Sequence, residues 1–93
     1  MVRHIVLISF TDRDDAPEAK HRLEALPAEV PEIASLEVVL DALRAPGAYD
    51  LALTTTHTSP QTLAAYQDHP VHQAFLQWLR PRLAARAVVD AEV

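Results

Sequence analysis

The chain has 93 residues, with 13 acidic against 8 basic side chains, a formal net charge of −5, no cysteine and one glycine. The missing cysteine excludes a disulfide frame, a thiolate nucleophile and a zinc–thiolate site, and it fits a reducing cytoplasm. A lone Gly47 excludes the glycine-rich phosphate cradle, the acid excess argues against nucleic acid, and no apolar run approaches the ~18 residues that span a bilayer.

Arg3–Phe10 reads as a first strand, with His4, Val6, Ile8 and Phe10 on one face and Ile5, Leu7 and Ser9 on the other. No charged-then-apolar leader precedes it. Thr11–Asp15 is a polar turn whose Asp12, Asp14 and Asp15 serve as turn and capping residues. A helix follows with Pro17 in its first turn and runs to about Leu26, placing Ala16, Ala19, Leu23 and Leu26 at helical spacing. His21 falls on its wet side, among Lys20, Arg22 and Glu24. Pro27 and Pro31 make a connector that Val30 and Ile33 pin to the core.

Leu36–Asp41 is the second strand, where Leu36, Val38 and Leu40 oppose Val39. Ala45–Ala48 turns the chain into a third strand, Asp50–Thr56, where Leu51 and Leu53 oppose Ala52. Its threonines read as exposed hydroxyl surface, and His57 at its end reads as no site. Asp41, Asp50 and Asp90 read as strand-edge charges that discourage unwanted pairing.

Ser59-Pro60 announces a helix carrying Leu63, Ala64 and Tyr66. His69-Pro70 interrupts it, because the residue before a proline avoids the α region. The helix that restarts at Pro70 carries His72, Phe75, Leu76 and Leu79 as one stripe, and Pro81 ends it. Arg80, Arg82 and Arg86 read as solvated charges around that helix end. The last strand is Arg86–Val93, with Val88 opposing Ala87 and Val89.

The order is β-α-β-β-α-β with a broken second helix, which is the ferredoxin-like α+β order, in a single domain over residues 1–93. Helices on one side of a sheet cover one face, yet these strands are apolar on both. A second copy of the chain is the cheapest cover for the other face. A homodimer closed as a barrel is therefore expected, with Ile5, Leu7, Val39, Ala52 and Val88 inside it.

Tyr66 and His72 lie on the two half-helices, and the break lets both turn towards one point. His4, on the helix-facing side of the first strand, can join them within a shell of Val6, Ile8, Leu23, Val38, Phe75 and Leu76. Such a shell keeps an imidazole neutral and hence a competent base near neutral pH. Catalysis, ligand binding and plain core packing by Tyr66 and His72 all remain open on the residues alone. His69 reads as a cap for the break, and the histidines lack the spacing of a metal site.

Six stretches carry a resemblance: Arg3-His4-Ile5-Val6-Leu7, Leu26–Ile33, Ser35-Leu36-Glu37-Val38, Tyr49-Asp50-Leu51, Tyr66-Gln67-Asp68-His69-Pro70-Val71-His72, and Arg86-Ala87-Val88-Val89-Asp90. In this order, and over essentially the whole chain, they resemble the stress-responsive dimeric α/β-barrel (Dabb) domain. The resemblance implies a homodimeric barrel without a cofactor, most members of the family having no assigned activity. In its olivetolic acid cyclase branch, which closes a linear polyketide by aldol condensation, the catalytic pair falls at Tyr66 and His72 and a pocket histidine at His4. A second pocket histidine of that branch is replaced here by Leu51. The leading expectation is a barrel protein that binds a small hydrophobic ligand between sheet and helices. The alternative is a cofactor-independent cyclase or isomerase in which His72 abstracts a proton and Tyr66 donates a hydrogen bond. A haem-linked or cofactor-free monooxygenase ranks last.

Overall fold

The computed structural model describes residues 1–93. Its strands are β1 (Val2–Phe10), β2 (Ser35–Leu40), β3 (Leu51–His57) and β4 (Leu83–Glu92). Its helices are α1 (Ala16–Glu24), α2 (Pro60–Asp68) and α3 (Pro70–Leu79). The strands form one antiparallel sheet in the order β2-β3-β1-β4, and the helices lie on one side of it.

Local chemistry sets the helix boundaries. Ser59 opens α2 with a capping box: its hydroxyl accepts from the Thr62 N–H at 3.2 Å while Thr62 Oγ1 accepts from the Ser59 N–H at 3.0 Å. His69 closes α2 and opens α3 in extended geometry (φ −62°, ψ 136°), and its Nδ1 accepts from the Val71 N–H at 3.1 Å. That satisfies one of the free donors which a helix start leaves. Asp12 caps the turn before α1 by accepting from the Asp14 N–H at 2.9 Å.

The core lies between sheet and helices. It joins Val6, Ile8, Phe10, Leu51 and Leu53 of the sheet to Ala19, Leu23, Leu63, Phe75 and Leu79 of the helices. Residues paired across antiparallel strands point to the same face. Val38, Leu53, Val6 and Val88 therefore line up on the helix-facing side. This corrects the assignment of Val88 to a barrel interior: shifting a strand by one residue exchanges its faces, and only the register decides. Ala87 and Val89 take the outer face instead, beside Ile5, Leu7, Ala52 and Val39. Val89 is 59% exposed and Val39 49%, so this apolar face has no cover within the protomer.

Strand β4 starts three residues before the expected Arg86. Leu83 already pairs with Phe10 across an irregularity at Ser9/Phe10, which hid the alternation in the sequence. Asp50 is no edge charge either. It is buried, accepts from the Phe10 N–H at 2.8 Å, and pairs with Arg13 at 3.0 Å. The other Arg13 nitrogen reaches the Asp41 carbonyl at 2.7 Å and its carboxylate at 3.2 Å. One guanidinium thus ties the turn before α1 to the ends of β2 and β3. No helix is long and apolar enough to cross a membrane.

A candidate site around Tyr66

Tyr66 is fully buried on the sheet-facing side of α2, and three imidazoles surround its ring. His72 lies 4.4 Å away between ring centres, tilted by 50°. His57 stacks at 5.1 Å and 29°. His4 stands edge-on at 6.4 Å and 70°. The structure therefore brings Tyr66, His72 and His4 together and adds His57.

Each histidine is oriented by a partner on one ring nitrogen. His72 Nδ1 donates to the Gln67 carbonyl at 3.1 Å, one of the carbonyls that α2 leaves free where it ends. The break at His69-Pro70 thus supplies the acceptor that orients the ring. With its proton on Nδ1, the neutral ring leaves Nε2 as a lone pair. His57 Nδ1 donates to the Glu32 carbonyl at 2.8 Å, so its Nε2 accepts from the Thr55 hydroxyl at 2.8 Å. Both of its nitrogens are committed. His4 Nδ1 donates to the Asp90 carboxylate at 2.5 Å, across the β1–β4 pairing that sets the two residues opposite each other. His4 Nε2 makes no hydrogen bond.

Burial sets the protonation of the group. It pushes the Tyr66 phenol up to about 12, against the pull of the Arg86 guanidinium. It holds His72 below the ordinary histidine value. The Gln67 carbonyl opposes this shift, and positive charge at His4, Arg86 and His69 adds to it. Burial lowers His57 likewise, against the Glu32 carbonyl. Near neutrality the centre holds a neutral phenol beside a neutral His72. The Tyr66 hydroxyl is enclosed and has no hydrogen-bond partner.

Two neighbouring spaces with shared walls adjoin this centre. An inner cavity of about 30 Å³ is walled by His4, Val6, Ile8, Leu23, Phe75 and Leu76 together with Leu53, Tyr66, His72 and Leu79. Val38, expected in that wall, lies in the core outside it, and Leu53 of the neighbouring strand stands there instead. A vestibule of about 340 Å³ opens outward between α3 and β4, and it shares Gln67, His72, Leu76, Leu79 and Arg86 with the cavity. The inner space exceeds the ~10–15 Å³ that a cavity needs to hold one water, and the vestibule falls in the ~300–1,000 Å³ range of ligand sites.

His57 is what the sequence reading missed. Thr55 and His57 are completely buried on the helix-facing side, not part of a hydroxylated surface. The signal was present, since carrying the Leu51, Leu53 alternation forward puts Thr55 and His57 on the core face.

Fold and site together define a ferredoxin-like α+β protein with a histidine-ringed tyrosine between sheet and helices. The chain belongs to the stress responsive A/B barrel domain (Dabb) family, whose model matches residues 2–93. It is similar to a dimeric ferredoxin-like protein of unknown function from Thermobifida fusca, at 34% identity and a TM-score of 0.86, over 99% of this chain and 90% of that one. A dimeric protein of unknown function from Bacteroides fragilis is 31% identical with a TM-score of 0.86, over 99% and 95% of the two chains. The hydroxynitrile lyase of Passiflora edulis shares the fold, with a TM-score of 0.84 at 16% identity, over 99% of this chain and 92% of that one. No curated protein matches the sequence.

Proposed function

We propose that the protein is a homodimeric barrel that binds a small, largely apolar molecule between the sheet and helices of each protomer, with Tyr66 and His72 as the polar contacts. The observation that carries this reading is the Tyr66 hydroxyl, buried and without a partner beside a small cavity of about 30 Å³. A buried donor left unsatisfied costs roughly 1–3 kcal/mol, which a ligand oxygen would recover. The adjoining vestibule supplies the volume for the rest of such a ligand.

Dimerisation is supported by the uncovered outer face of Ile5, Leu7, Val39, Ala52 and Val89, and by two relatives above 30% identity that are themselves dimeric. Two such faces packed together would enclose the barrel. A cytoplasmic setting suits a chain without cysteine.

A second reading, proton-transfer catalysis without a cofactor, is favoured by the unengaged Nε2 of neutral His72 beside a phenol that stays protonated. In this reading His72 takes the acidic proton between two carbonyls, breaking C–H and forming N–H. Tyr66 donates to the oxygen on which the enolate charge gathers. The enolate carbon then attacks a second carbonyl, and the proton held on His72 returns to the new alkoxide.

The test is an NMR-monitored titration with aromatic and β-dicarbonyl compounds. Binding should move the His72 and Tyr66 ring resonances, and Tyr66→Phe and His72→Ala should each weaken it. A separate groove lies between α1 and α3, lined by Glu18, His21, Val71 and Phe75, and shifts confined to it would overturn the reading. Turnover lost in both variants with folding intact would establish the catalytic version.

A further inference from the structure

The three arginines around the end of α3 are not equivalent. Arg82 is committed: its guanidinium lies 4.6 Å from the centre of the Trp78 ring and donates to the Trp78 carbonyl at 2.6 Å. Arg80 and Arg86 make no ion pair, and both line the vestibule. Asp68 is the one carboxylate in that wall, so two free guanidiniums face one acidic group there. This is a local excess of positive charge on a chain whose net charge is −5.

Arg86 also reaches inward. It stands opposite Ile8 on the helix-facing side of β4 and lines the inner cavity as well as the vestibule. The residues that line both spaces therefore include a cation, Arg86, and the His72 imidazole. At the inner end sits the unpartnered Tyr66 hydroxyl, a donor that needs an acceptor.

We propose that the site takes a small carboxylic acid bearing a second oxygen, with its carboxylate on Arg86 and its carbonyl or hydroxyl oxygen at Tyr66. This rests on the reading that the cavity and vestibule bind a small molecule, and it adds the charge and the polarity of the two ends. Guanidinium and carboxylate match as fork to fork, whereas the neutral centre at Tyr66 and His72 suits an uncharged oxygen. Arg80, farther out, adds to the field that draws an anion in.

The experiment compares 4-oxo-4-phenylbutanoate with its uncharged primary amide, binding each to the wild-type chain and to Arg86→Gln by NMR titration at low and high salt. The acid should bind the wild type about tenfold more tightly than the amide, the worth of one charge-assisted hydrogen bond. That preference should shrink with salt and vanish in Arg86→Gln. Arg86 is exposed, so its variant should keep the wild-type amide spectrum. Equal binding of acid and amide to the wild type, or a preference that survives in Arg86→Gln, overturns the carboxylate assignment and leaves ligand binding standing. Failure of both compounds to shift His72 or Gln67 overturns the binding reading, and the carboxylate with it.

Discussion

The imidazole of His72 sits 4.4 Å from the phenol of Tyr66, ring centre to ring centre, although a proline-broken helix separates them in sequence. The break is what joins them. Ending α2 at His69 frees the Gln67 carbonyl, and that carbonyl turns the His72 ring by accepting from Nδ1. A continuous helix would commit the Gln67 carbonyl to its own ladder, and residues six apart would leave on different faces.

Replacing Tyr66 by Phe separates stability from function. The lost hydroxyl has no partner, so Tyr66→Phe should leave stability unchanged or raise it by up to about 1 kcal/mol. Urea unfolding at matched protein concentration measures this. A loss above about 1 kcal/mol would mean that the hydroxyl is bonded in the folded protein.

The phenol itself can be titrated. Tyr66 should ionise near 12, well above the ordinary tyrosine value of about 10. Ultraviolet difference titration of the wild type against Tyr66→Phe isolates the Tyr66 ionisation. A Tyr66 ionisation in the ordinary range near ~10 would contradict its burial.

His57 should be the costliest histidine to remove. His57→Ala strands the Glu32 carbonyl and the Thr55 hydroxyl and deletes the stack on Tyr66. The expected loss in urea unfolding is about 3 kcal/mol, from a cavity plus unpaired polar groups. A loss under about 1 kcal/mol would show that these contacts carry little.

Acid should destabilise the fold before any carboxylate titrates. His57 and His72 both lie below the ordinary value of 6.5 when folded. As pH falls through 6.5 the unfolded chain binds protons first, so stability that is complete above that value is lost towards the lower folded pKa values. Urea midpoints at about pH 7.5 and about pH 5.5 should therefore differ, the lower pH being less stable. Equal midpoints would contradict the burial of both rings.

Much of this architecture is legible in the chain, because turn chemistry and period-two patterning agree at each strand. Ser59-Pro60, His69-Pro70 and Pro81 mark helix ends by what proline forbids. The grouping of Tyr66, His72 and His4 follows from the broken helix and from the face that His4 shares with Val6 and Ile8. Legibility ends where cross-strand register or a polar core residue decides. Val88 could take either face until its pairing with Val6 fixed it. Asp50 and His57 look like surface residues by type, yet both are buried because each finds partners that sequence does not display: Arg13 and the Phe10 N–H for one, Glu32 and Thr55 for the other.

The most direct measurement is sedimentation equilibrium of the wild-type chain at micromolar concentration, beside Val39→Lys, which puts a charge into the outer sheet face. The uncovered strands predict a wild-type mass twice the 10.3 kDa of one chain, and a shift towards that single mass in Val39→Lys. A well-behaved 10.3 kDa wild-type species, its outer face in water, would contradict the barrel.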